Sequence, residues 1–115
     1  MDDTGEARIV TAIEGTPTVG EFVVKPMLSG SNMTILEVRI ERGVRSQTHS
    51  HSHESLIYVI SGTLETIVDG QRLVLRPGET CCHPENVEHS VEALDDAVFL
   101  EVKSPVPRLL DTLGI

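Results

Sequence analysis

Aromatic side chains are nearly missing: they make up 3% of the 115 residues, and tryptophan is absent. A core without them has to be aliphatic, built from Val, Leu and Ile. Long apolar runs are missing too, since no stretch approaches the ~20 residues that span a bilayer. The opening residues MDDTGEAR hold no apolar segment, which argues against a signal peptide. Cysteine is limited to the adjacent Cys81 and Cys82, too few for a disulfide framework, so a reducing, cytoplasmic setting is expected. Positive charge is scarce: 9 Lys and Arg face 18 Asp and Glu, a net charge of −9. Nucleic acid and anionic membrane surfaces would be repelled, so neither is an expected partner.

What remains fits a single domain with one core. Residues 1–7 read as a flexible tail and 8–115 as the domain. Short β-branched segments recur at close spacing, punctuated by Gly and Pro. Strands are expected at Arg8–Ile13, Glu21–Leu28 and Met33–Ile40, where Leu36, Val38 and Ile40 share one face. Gly15 and Pro17 read as turn punctuation and Pro26 as an edge or a bulge. Further strands are expected at Thr63–Val68 and Gln71–Leu75, joined by an Asp69-Gly70 hairpin turn, and at Thr80–His83, His89–Ala93 and Ala97–Lys103. About ten such strands spell an all-β sandwich or barrel. Near the end, Leu109, Leu110 and Leu113 stand at helical spacing, predicting a short helix over Arg108 to Leu113 that packs on the barrel or on a second subunit.

The chain is organised around Gly43 to Gly62, which carries His49, His51 and His53 at alternate positions. A strand through this stretch would aim His49 and His51 the same way. Two neutral imidazoles on one face are half of a metal site, and Glu54 or Ser55 offers a further partner. The run Leu56 to Ile60 then has the length and branching of a buried strand. A second stretch, Gly78 to His89, ends in another histidine. Two histidine-bearing stretches separated by a hairpin suit a small barrel that closes a cation inside itself.

These stretches resemble the paired motifs of the cupin superfamily. Gly43, five residues, His49-Ser50-His51, three residues, Ser55, six residues and Gly62 reproduce the spacing of the first motif. Gly78, five residues, Pro84-Glu85-Asn86, two residues, His89, three residues and Ala93 reproduce that of the second. The chain departs from the pattern at Ser55, where the family has Glu, at Asn86 for Gly, and at Ala93 for Asn. The resemblance implies a double-stranded β-helix, or jelly roll, with its barrel core at about residues 34–104. It also implies one divalent cation (Zn, Ni, Fe, Mn or Cu) on His49, His51 and His89, with Ser55 a poor fourth ligand. Within the superfamily the chain is most similar to small single-domain cupins of unsaturated uronate breakdown in pectin degradation. That implies a metal-dependent enzyme on a sugar acid, of isomerase or lyase type, and a homodimer. A cupin dioxygenase and a non-catalytic small-ligand sensor are the alternatives.

For proton transfer the expected candidates are Glu54, His53 and Tyr58, each weighed against a bland reading as rim carboxylate, rim ring and packing aromatic. Cys81, Cys82 and His83 resemble a cluster, but neighbouring strand residues face opposite ways, so the two thiols cannot share a cavity. They read as small buried hydrophobes. Arg39, Arg72 and Arg76 read as solvated surface, as do the pairs Asp2-Asp3 and Asp95-Asp96.

Overall fold

The computed structural model describes residues 6–105. The helix expected over Arg108 to Leu113 and most of the expected N-terminal tail lie outside them. The described residues form nine strands: β1 (Arg8–Ile13), β2 (Thr16–Ser29), β3 (Thr34–Ile40), β4 (Glu54–Ser61), β5 (Leu64–Val68), β6 (Gln71–Leu75), β7 (Thr80–His83), β8 (His89–Ala93) and β9 (Ala97–Ser104). They make a six-stranded sheet, β1-β2-β3-β9-β4-β7, and a three-stranded sheet, β6-β5-β8. Every pairing between these strands is antiparallel. This is the all-β jelly roll implied by the motifs. Among the described residues no helix is long and apolar enough to cross a membrane.

The core lies between the sheets and is aliphatic apart from Phe22 and Phe99, as the composition requires. Val24, Leu36, Val38 and Val59 come from the larger sheet, and Leu64, Val91 and Ala93 from the smaller one. Leu36, Val38 and Ile40 are all buried, so the alternation read in β3 holds. The Asp69-Gly70 turn has positive φ at both residues, the signature of a two-residue hairpin. At Pro26 the β2–β3 register shifts, a bulge where proline cannot donate to the ladder. Pro17, by contrast, lies inside β2 and pairs with Ala12, and the chain turns earlier, at Glu14-Gly15.

Two elements differ from expectation. First, β4 is not buried on both faces: Leu56, Tyr58 and Ile60 are exposed, while Ser55, Ile57 and Val59 point inward. It pairs with β9 and β7 but has a covering layer on one side only. Second, the histidine stretch is not a continuous strand. It is fastened to β8 by spaced hydrogen bonds: Gly43 N–H to Ala93 O (2.9 Å), Ser46 N–H to Val91 O (2.9 Å) and His49 N–H to His89 O (3.0 Å). Three residues advance on this side for every two on β8. The surplus residue at each step breaks a regular ladder.

Candidate metal centre

The link between His49 and His89 is the hinge of the site. Each backbone N–H donates to the other's carbonyl, at 3.0 and 2.8 Å, so the two stretches meet residue to residue. Although the ladder is broken, burial still alternates. His49, His51, His53 and Ser55 turn inward and Ser50, Ser52 and Glu54 outward. The result brings His49, His51 and His89 together, with ligand nitrogens all within 4.8 Å of one another. Metal–nitrogen bonds near 2.1 Å ask for separations of about 3–4 Å. Small ring movements therefore suffice.

The three rings present the same atom. His49 Nδ1 is bonded to Gln47 O (2.7 Å), His89 Nδ1 to Val87 O (3.1 Å) and His51 Nδ1 to Glu14 Oε1 (2.7 Å). Carbonyls and carboxylates only accept, so each Nδ1 carries the proton and each Nε2 keeps its lone pair. That is the tautomer a metal ligand needs. Burial lowers the pKa of all three, that of His51 to about 2 and that of His89 to about 3. After burial, the Lys103 ammonium presses hardest on His51, and His83 on His89. The Glu14 carboxylate, about half exposed, does not offset this. Near neutral pH the rings are uncharged, the form in which imidazole binds a cation. The donor set thus fits a divalent metal such as zinc, nickel, iron, manganese or copper.

A fourth ring stands beside them. His83, on β7, stacks on His89 with ring centroids 4.0 Å apart. Its Nε2 meets Thr66 Oγ1 at 2.8 Å, and that hydroxyl donates to Ser90 O. The hydroxyl proton being spent, His83 Nε2–H is the donor. Cys81 and His83 turn inward on β7 and Cys82 outward, so Cys81 is the thiol facing the barrel. Burial pushes the Cys81 pKa up to about 12, which keeps it a neutral thiol and a poor ligand.

Two charged residues on the inner face of β9 were not singled out in the sequence. Glu101 pairs with Leu36 on β3 and Ile57 on β4, both buried, so all three share the inner face. Lys103 pairs with Ser55, which is 1% exposed at the motif position of Glu. Glu101 Oε2 and Lys103 Nζ lie 3.8 Å apart. Burial alone would raise the Glu101 pKa. Lys103 and His83 more than reverse this, and the carboxyl is held below its usual range. Ser55 Oγ also favours the ionised carboxylate, although the pair misses strict hydrogen-bond geometry. The cavity is lined by the three converging histidines, His83, Glu101 and apolar side chains including Phe22 and Phe99. Its free space is about 20 Å³, room for about one water.

Of the residues expected to move protons, Glu54 and Tyr58 are exposed on the outer face of β4 and are not brought to the imidazoles. The cause is period-two alternation, which commits positions 55, 57 and 59 to the interior. His53 is buried with its ring stacked on His51, centroids 4.6 Å apart.

Comparison with known proteins agrees with this geometry. The cupin domain family matches residues 36–103. The pectin degradation protein KdgF of Dickeya dadantii (strain 3937) is 23% identical over 90 residues, 76% of this chain and 82% of the relative. The solved structure of KdgF from Halomonas sp. has a TM-score of 0.72 at 26% identity, covering 76% of this chain and 81% of that one. A predicted oxalate decarboxylase from Thermotoga maritima, 18% identical, shares the fold with a TM-score of 0.76 over 87% of this chain and 92% of its own. The family match takes in His49, His51, His89 and Glu101, and on that ground the chain belongs to the cupin domain family.

Proposed function

We propose that this chain is a metal-dependent enzyme of isomerase or lyase type that acts on a small sugar acid. The observation that carries the reading is the meeting of three neutral histidines with an ionised carboxylate in one cavity. One divalent cation bound by His49, His51 and His89 would act there as a Lewis acid toward a carbonyl, hydroxyl or carboxylate oxygen. Proton transfer falls to Glu101 rather than to Glu54, His53 or Tyr58, because it is the carboxylate that lines the cavity. Lys103 keeps Glu101 ionised and therefore able to accept a proton. Phe22, Val38 and Phe99 line the same cavity and keep bulk water from it. Likeness to proteins named for pectin degradation makes an unsaturated uronate the first substrate to try.

The test combines elemental analysis with turnover. Wild type should carry about one metal per chain, and His49→Ala should lose it. Glu101→Gln should keep the metal and lose turnover of an unsaturated uronate, followed by NMR, by roughly 10²–10⁴-fold. A metal-free wild type, or full activity in Glu101→Gln, defeats the reading. The small cavity favours a second reading, a non-catalytic site for a small ligand, which the same assay separates by wild-type inactivity. A cytoplasmic setting and a homodimer belong to the first reading, and the exposed apolar face of β4 supports the homodimer.

A further inference from the structure

The β1–β2 hairpin carries an odd residue at its tip. Ile13 pairs with Thr16, so Glu14 and Gly15 are the whole loop. Their φ angles are +50° and +76°, positive at both positions. Such loops favour Asn-Gly, Asp-Gly or Gly-Gly, because the left-handed region crowds a longer side chain. Glu14 breaks that preference, and its carboxylate is what reaches His51 Nδ1 at 2.7 Å, across 37 residues of sequence. The bland explanation is an exposed ion pair of little consequence. Against it, the partner ring is only 4% exposed and is one of the three that converge. The other two rings are held by backbone carbonyls, Gln47 O and Val87 O, which any side chain at those positions would supply. His51 alone of the three is oriented by a replaceable side chain.

We infer that Glu14 is a positioning residue, held in an unfavourable turn conformation so that its carboxylate fixes His51 as the Nδ1–H tautomer with Nε2 toward the other two rings. A carboxylate behind a ligating imidazole also raises its basicity, and losing such a partner typically weakens metal binding 10–100-fold. The hairpin lies outside residues 36–103, the span matched by the family. For its affinity readout the inference rests on the metal-binding reading above.

The two demands on position 14 conflict, and the conflict gives the test. Glu14→Asn suits the turn better but is too short to reach the ring. Its metal-free thermal midpoint should stay level or rise while Zn²⁺ affinity, by calorimetry, falls 10–100-fold. Glu14→Gln keeps an acceptor oxygen and should lose less. In the metal-free protein, ¹⁵N NMR should show His51 as the Nδ1–H tautomer in wild type and shifted toward Nε2–H in Glu14→Asn. Unchanged Zn²⁺ affinity together with an unchanged tautomer in Glu14→Asn overturns the inference. A wild type that takes up no Zn²⁺ sinks the metal reading instead, and the tautomer measurement still decides on Glu14.

Discussion

Four histidines are neutral because burial makes them so, and that has a cost in acid. His49, His51, His83 and His89 all have folded pKa values below the ordinary 6.5. On unfolding they regain it. As pH falls below about 6.5 the unfolded chain therefore binds protons that the folded chain refuses, and stability drops. Glu101, held below the carboxylate range, contributes only at lower pH. The thermal midpoint of the metal-free protein should fall steadily from pH 7 to pH 5, followed by circular dichroism in matched buffers. A midpoint flat across that window would contradict the buried, neutral state. At this scale the three converging histidines were legible, because histidine at fixed motif spacing is a rare pattern. Glu101 and Lys103 were not, because charged residues in a strand read as its solvent face.

At the scale of elements, β9 explains that failure. Val98, Leu100 and Val102 alternate as cleanly as Ala97, Phe99, Glu101 and Lys103 do. The first set is the more apolar, so hydropathy favours the wrong phase. Pairing decides otherwise: β9 lies between β3 and β4, in register with Leu36 and Ile57, and its charged face is drawn inward. The histidine stretch shows the reverse case. Its ladder to β8 is broken, yet its side chains keep period two, so the inference about which way they face survived a wrong secondary structure. The motif glycines at the ends of that stretch differ in strictness. Gly43 and Gly62 both have positive φ, but a Cβ on Gly62 would sit 2.0 Å from Asp96 O, while one on Gly43 meets nothing within 4 Å. Gly43→Ala should cost about 1–3 kcal/mol for the backbone alone. Gly62→Ala should cost clearly more, since a neighbouring backbone must also move. Urea midpoints compare the two, and an equal loss would mean that the β8–β9 turn yields freely.

For the whole molecule, the feature left over is the outer face of the larger sheet. Leu56, Tyr58 and Ile60 are 53%, 48% and 44% exposed. Across the ladder Leu56 lies beside Val102 and Tyr58 beside Leu100, which continues the apolar surface onto β9. Contiguous apolar faces of this kind mark association sites. If two copies pair there, the double substitution Leu56→Asp and Tyr58→Asp should halve the mass measured by light scattering at micromolar concentration. The metal content should be unaffected, because both side chains point away from the cavity. A monomeric wild type would refute the dimer.

The linear order of residues was enough to establish the all-β class, the aliphatic core, the hairpin at Asp69-Gly70 and the identity of the three converging histidines. These follow from local chemistry: composition, turn residues, and side chains at fixed spacing. It took the folded arrangement of strands to bring a carboxylate and an ammonium into the barrel on β9, to send Glu54 and Tyr58 out of it on β4, and to stand Glu14 behind His51. Those facts depend on which strand lies beside which and in what register, and register is set by contacts far apart in the chain.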